Sequence, residues 1–231
     1  MSEVAVHATV AAWADACAAR LIEALATGGP AVFAGSGGST PAPIYAAMRD
    51  ADLDWSNVTV TLIDERYVPE TSPDSNARLL KETLLLGPAA RARFVPLYTP
   101  AVTVDRAAAE ATRALASLGR LDAVLLGMGE DGHICSMFPH SPTLKTLLTP
   151  TLAPAVLGVP PGRDGLAPSM ERLSINLPYL AQAGRVVLAI TGNQKRAVFE
   201  RDVAGDPAVT PIAALIAAKV PLEVHWTEAA R

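Results

Sequence analysis

The sequence predicts an α/β fold: a Rossmann-like, largely parallel sheet with helices on both faces, in one domain spanning 1–231. Three observations predict it. Short apolar runs appear without polar alternation, as strands covered on both faces require. Segments with apolar residues at steps of three and four separate those runs. Glycine-rich or charged turns follow several runs directly, where the carboxyl ends of parallel strands place ligand-binding loops.

The elements follow in order. Val6, Val10, Trp13, Cys17, Leu21 and Leu25 form one face of an amphipathic helix that stops at Gly28-Gly29. Ala31 to Ala34 reads as a strand, Gly35-Ser36-Gly37-Gly38-Ser39 as a loop, and Thr40-Pro41 as the opening of a helix through Ile44 and Met48. Val58 to Ile63 is a buried strand running into Asp64-Glu65-Arg66, and Asp74-Ser75-Asn76 caps the Leu79, Leu80, Leu84 helix. A helix over 105–118 precedes the Leu121 to Leu126 strand, which leads into Gly127-Met128-Gly129-Glu130-Asp131-Gly132-His133. Leu173 to Leu177, Arg185 to Thr191 and Leu222 to Trp226 are further strands, and the second of them passes through Gly192-Asn193 into a helix carrying Lys195.

Composition narrows the function. Nineteen Lys plus Arg against 23 Asp plus Glu give a formal charge of −4, which offers no broad attraction for nucleic acid or an anionic membrane surface. Half the chain is apolar, and the mean hydropathy is +0.27, as in a globular protein. The longest uncharged stretch, Thr146 to Gly162, is broken by Pro150, Pro154, Pro160 and Pro161, so it cannot form a membrane helix. Cys17 and Cys135 are too few for a disulfide scaffold or a zinc cluster, and the N-terminus lacks the order of a secretory signal. A cytoplasmic protein needing no metal or cofactor is the expectation, with its oligomeric state open and a monomer compatible with the sequence.

Four turns carry the candidate chemistry. The first glycine loop lacks the Gly-Lys-Ser/Thr of a P-loop, and Thr40 replaces the third glycine of the dinucleotide fingerprint. What it offers is backbone N–H groups at Gly37 and Gly38, with the hydroxyls of Ser36, Ser39 and Thr40, at a helix N-terminus suited to an anion. In the second turn Arg66 can grip a phosphate or carboxylate bidentately, and the neighbouring acids Asp64 and Glu65 are placed to fix its planar fork. In the third, three glycines free the backbone around His133, an imidazole able to take a proton from water near neutral pH, with Asp131 placed to hold its tautomer. Lys195, near a helix N-terminus, opposes the macrodipole unless an anion binds there as well. Arg172 precedes a strand, in a place from which it can approach the same rim or face solvent.

The blocks Gly35 to Pro41, Asp64-Glu65-Arg66-Tyr67-Val68-Pro69 with Ser75-Asn76, Gly127 to His133 with Ser136-Met137-Phe138-Pro139, Pro168 to Ser174, and Gly192 to Lys195 resemble the successive motifs of the 6-phosphogluconolactonases. The resemblance covers nearly the full chain and departs from the usual pattern at Ile134, where many members carry Thr. It implies hydrolysis of 6-phospho-D-glucono-1,5-lactone to 6-phosphogluconate in the oxidative pentose phosphate route, without a covalent intermediate. In that reading His133 is the general base, oriented by Asp131 or a neighbouring acid. Gly37, Gly38, Ser39, Asp64, Arg66, Asn76, Arg172 and Lys195 bind the sugar phosphate. Two alternatives stand beside it: a glucosamine-6-phosphate deaminase, whose members typically continue Phe-Asn-Glu-Pro after the histidine, and a non-catalytic sugar-phosphate sensor.

Overall fold

A computed structural model describes residues 4–38, 40–163 and 165–228. Ten strands and eight helices follow one another. They are β1 (Val4–His7), α1 (Val10–Leu25), β2 (Ala31–Gly35), α2 (Ala42–Arg49), β3 (Val58–Leu62), β4 (Asp64–Arg66), α3 (Asn76–Thr83) and β5 (Arg93–Phe94). Then come α4 (Val104–Ala116), β6 (Ala123–Leu126), α5 (Leu144–Leu148), β7 (Val156–Val159), β8 (Arg172–Ile175), α6 (Leu177–Ala181), β9 (Arg185–Thr191), α7 (Asn193–Asp202), α8 (Pro211–Ala217) and β10 (Leu222–Thr227).

Seven strands form a parallel sheet in the order β1-β10-β9-β6-β2-β3-β5. Every residue of β2 and β6 is buried. Side chains alternate faces along a strand, so full burial means that helices cover both faces. One of those covers is α1, which lies across β6, β9 and β10 and against α2. It starts where Thr9 caps it, the hydroxyl accepting from the Ala12 amide at 3.1 Å.

The strand order decides where a ligand fits. From β2 the chain moves outward through β3 to β5, then returns to β6 on the other side and moves outward again through β9 and β10. The reversal falls between β2 and β6, and in open parallel sheets the crevice beyond the carboxyl ends at such a point receives the ligand. The turns that follow these two strands are the two glycine loops.

The structure departs from the sequence reading at several elements. Val6 does not belong to the first helix. It lies in edge strand β1, paired with Trp226 and largely exposed, because the Thr9 cap, three residues beyond it, fixes the helix start at Val10. Asp64–Arg66 is itself a strand and joins β8 and β7 in a second, antiparallel sheet of order β4-β8-β7. The strand expected over 173–177 therefore leaves the parallel sheet, and it ends at Ile175 because Leu177-Pro178 opens α6. β7 lies inside the proline-rich stretch, in the proline-free run between Pro154 and Pro160. Packing against α4 stabilises it at the sheet edge. The two-residue β5 gave no sequence signal.

Candidate active site

The turns after β2, β3, β6 and β9 converge on one open cleft. Gly37, Gly38, Asp64, Arg66, Asn76, His133, Arg172 and Lys195, all expected from sequence, line it. Asp131 stands behind His133 rather than in the wall. Ser39 lies outside the described residues. Ile63, Met128 and Cys135 also line the cleft and had not been singled out. As buried apolar or weakly polar residues, they look like core in a sequence.

The turn after β6 is built around its histidine. The Gly129 amide donates to the His133 carbonyl at 2.9 Å and the Gly132 amide to the Gly129 carbonyl at 3.1 Å, folding the segment back on itself. Gly132 has φ of +88°, which disfavours any side chain. A Cβ at Gly129 would lie 2.2 Å from His133 Nδ1 and 2.5 Å from Asp131 Oδ1. Glycine there is what permits these two side chains to meet. They do so at 2.5 Å, Nδ1 to Oδ1, while the same oxygen accepts from the His133 amide at 3.1 Å.

A carboxylate only accepts, so the proton of that bond sits on Nδ1 and leaves the Nε2 lone pair free. Partial burial works to raise the Asp131 carboxyl, but the ring hydrogen bond, the attraction of a charged imidazole and the amide together hold it below the ordinary range. Phe138, itself buried, packs on the His133 ring with centroids 4.2 Å apart.

The Arg172 guanidinium lies over the Phe138 ring, 5.6 Å from its centroid. Antiparallel pairing sets Arg172 directly opposite Arg66, an arrangement that like charges disfavour. Burial lowers the Arg172 pKa, Asp64 works to raise it and Arg66 lowers it again. The Nε atoms of both arginines are buried with no hydrogen-bond partner among the described residues. Two crowded guanidiniums lining one cleft suit a dianion.

Buried polar contacts hold this wall in place. Asp64 Oδ2 accepts from the Ser136 hydroxyl at 2.7 Å and lies 4.0 Å from Arg172. Asn76 donates to the Asp64 carbonyl at 2.9 Å. A Cβ on Gly37 would fall 1.8 Å from Asn76 Oδ1, so only glycine lets the first loop come this close. Ser136 and Ser174, joined by the Ser136 amide donating to the Ser174 hydroxyl at 3.2 Å, stand in family-like blocks, but the sequence gives neither a role.

One sequence expectation is corrected. Glu65 does not grip the Arg66 guanidinium or face the cleft. Its carboxylate is fully buried and bonds backbone amides, while Arg66 Nη1 donates to the Asp74 carbonyl at 2.6 Å. Period-two alternation within β4 sends Asp64 and Arg66 to one side and Glu65 to the other.

Lys195 enters from α7, whose start at Gly192 has φ of +81° and no side-chain cap. Gln194 beside it donates to Glu130 at 3.0 Å, tying α7 to the histidine turn. Near the far end of the same helix, Asp202 packs on Gly132 so closely that a Cβ there would lie 2.5 Å from Oδ2. No group of three or more His, Cys, Asp or Glu among the described residues is arranged to hold a metal. None of the described helices is long and apolar enough to cross a membrane.

The sequence profile of the glucosamine-6-phosphate isomerases/6-phosphogluconolactonase family matches residues 5–226. The chain belongs to this family. Within it, the chain is 44% identical over 218 residues to a 6-phosphogluconolactonase of Rhizobium meliloti, covering 93% of this chain and 92% of the relative. It is 40% identical over 218 residues to a 6-phosphogluconolactonase of Caulobacter vibrioides, with the same coverage. The crystal structure of a 6-phosphogluconolactonase from Shewanella baltica superposes with a TM-score of 0.88 at 32% identity, covering 98% of each chain. The largely parallel α/β fold is thus that of the family.

Proposed function

We propose that this chain is a lactone hydrolase, converting 6-phospho-D-glucono-1,5-lactone to 6-phospho-D-gluconate in the pentose phosphate pathway, with His133 as general base. The relatives' shared activity supports the reaction. The observation that carries the assignment of roles is that one cleft holds both an imidazole backed by a carboxylate and a pair of guanidiniums set opposite each other across β4 and β8. A substrate with its ester at one end and its phosphate at the other fits that combination.

The arginine pair takes the phosphate. Arg66 and Arg172 both line the cleft and can grip it with their planar forks, and Lys195 adds a third cation on the cleft wall. Asp64 and Asn76, on the same wall, face the sugar. With the remote dianion anchored, the lactone carbonyl is held beside His133. Nε2 removes a proton from water as its oxygen bonds to C1, and the carbonyl electrons move onto the oxygen. Backbone N–H groups at Gly37 and Gly38 stabilise that charge. When the C1–O5 bond breaks, the imidazolium returns the proton to O5, and Asp131 stabilises the charged ring between the two transfers. No bond to the protein forms.

The single-domain organisation over 1–231 and a cytoplasmic setting belong to the same reading. One continuous core from Trp13 to Trp226 supports the first, and two buried, unpaired cysteines support the second. The test is a coupled assay on freshly generated lactone with the spontaneous rate subtracted. Turnover above that blank is expected; ammonia release from glucosamine 6-phosphate without lactone hydrolysis would replace this reading with a deaminase.

A further inference from the structure

Glu65 stands between two cleft residues in sequence, yet its own side chain is fully buried away from the cleft. Its Oε1 accepts from the Arg66 amide at 2.8 Å and from the Asn76 amide at 2.7 Å. Its Oε2 accepts from the Ala77 amide at 2.8 Å and from the Ser75 hydroxyl at 3.1 Å. A single oxygen atom thus joins the backbones of two cleft residues, one on β4 and one at the start of α3.

Helix capping alone does not explain this acid. α3 already has its N-cap, with the Ser75 hydroxyl accepting from the Arg78 amide at 3.2 Å. The first amides of a helix are otherwise readily satisfied by water, whereas burying a carboxylate is unfavourable unless every lone pair is used. Burial does raise the Glu65 pKa, against the pull of the Asn76, Ala77 and Arg66 amides and the Ser75 hydroxyl. What the buried carboxylate adds is a rigid link between strand and helix at the wall that carries Arg66.

We infer that Glu65 is a positioning residue for phosphate binding: through Oε1 it sets the spacing of Arg66 and Asn76, and so the geometry of the arginine pair in the cleft. The inference rests on the reading of this wall as the sugar-phosphate site. Glu65→Gln keeps the size and one acceptor but turns an N–H₂ toward the Ala77 amide, a donor facing a donor. Asp at this position keeps the charge but falls one methylene short.

The experiment compares wild type, Glu65→Gln and Glu65→Asp by calorimetric titration with inorganic phosphate and with 6-phosphogluconate, alongside kcat and KM for the lactone. In Glu65→Gln both dissociation constants and KM are expected to rise about tenfold, while kcat changes less than about threefold. Glu65→Asp is expected to show a smaller weakening in the same direction, and it decides the matter if Glu65→Gln is not recovered folded. Dissociation constants unchanged in a folded variant, or a fall in kcat with phosphate binding intact, would overturn the inference. Phosphate titration needs no turnover. A chain that binds phosphate in a Glu65-dependent way but hydrolyses no lactone would therefore sink the lactonase reading and leave this one standing.

Discussion

At the scale of single residues the chemistry depends on the contact between Asp131 and His133. The carboxylate fixes the tautomer and stabilises the charged ring, so it acts on both orientation and proton affinity. Asp131→Asn is expected to lower kcat at least tenfold, an order-of-magnitude figure for weakened acid–base catalysis. An unchanged kcat would show that the carboxylate does not act on the ring. The sign for stability follows from the depressed Asp131 pKa. Its contribution is fully present above the unfolded value and is lost as pH falls through the lower, folded one. Asp131 and His133 were readable from sequence because they share one glycine-rich turn. The positions of Ser136 and Glu65 were not, since their partners Asp64, Asn76 and Ala77 come from other segments or from backbone amides.

At the scale of elements, the turn after β6 works because Gly129 leaves room for a ring and a carboxylate. Gly129→Ala places a methyl where His133 Nδ1 and Asp131 Oδ1 now lie, 2.2 and 2.5 Å away. The side chains must separate, and a displacement of about an ångström from productive geometry costs roughly 10²-fold in rate. The expected outcome is a kcat lowered by that order with KM nearly unchanged, since the arginine wall is untouched. A kcat equal to wild type would show that the turn tolerates the methyl and that the close contact is not needed. Helices α1, α2, α3 and α4 were legible because each has a periodic face or a capping residue, and α7 because Gly192-Asn193 after a strand marks its start. The small sheet was not. β4 is three polar residues and β7 sits among prolines, so neither has a strand signature, and only pairing with β8 makes them strands.

At the scale of the whole molecule, two sheets divide the work. The parallel sheet delivers the glycine turns at its switch point, and the antiparallel one brings Arg66 and Arg172 together from distant parts of the chain. The first was legible because strands buried on both faces are continuous apolar runs. The pairing of the arginines was not, because register between remote strands leaves no local mark. Binding across both sheets should stabilise the fold. At a 6-phosphogluconate concentration about 100-fold above Kd, mass action contributes about 2.7 kcal/mol. For a chain of 231 residues that corresponds to a Tm increase of about 5–10 °C. Gluconate, lacking the phosphate, is expected to raise Tm far less. Equal shifts from the two ligands would show that the arginine pair does not hold the phosphate.

The most direct test of the account is the steady-state rate of His133→Ala on freshly generated 6-phosphogluconolactone, measured against the spontaneous hydrolysis blank. Loss of the general base is expected to lower kcat by roughly 10²–10⁴-fold while KM stays close to wild type, because the phosphate wall is intact. A folded His133→Ala enzyme turning over at the wild-type rate would contradict it.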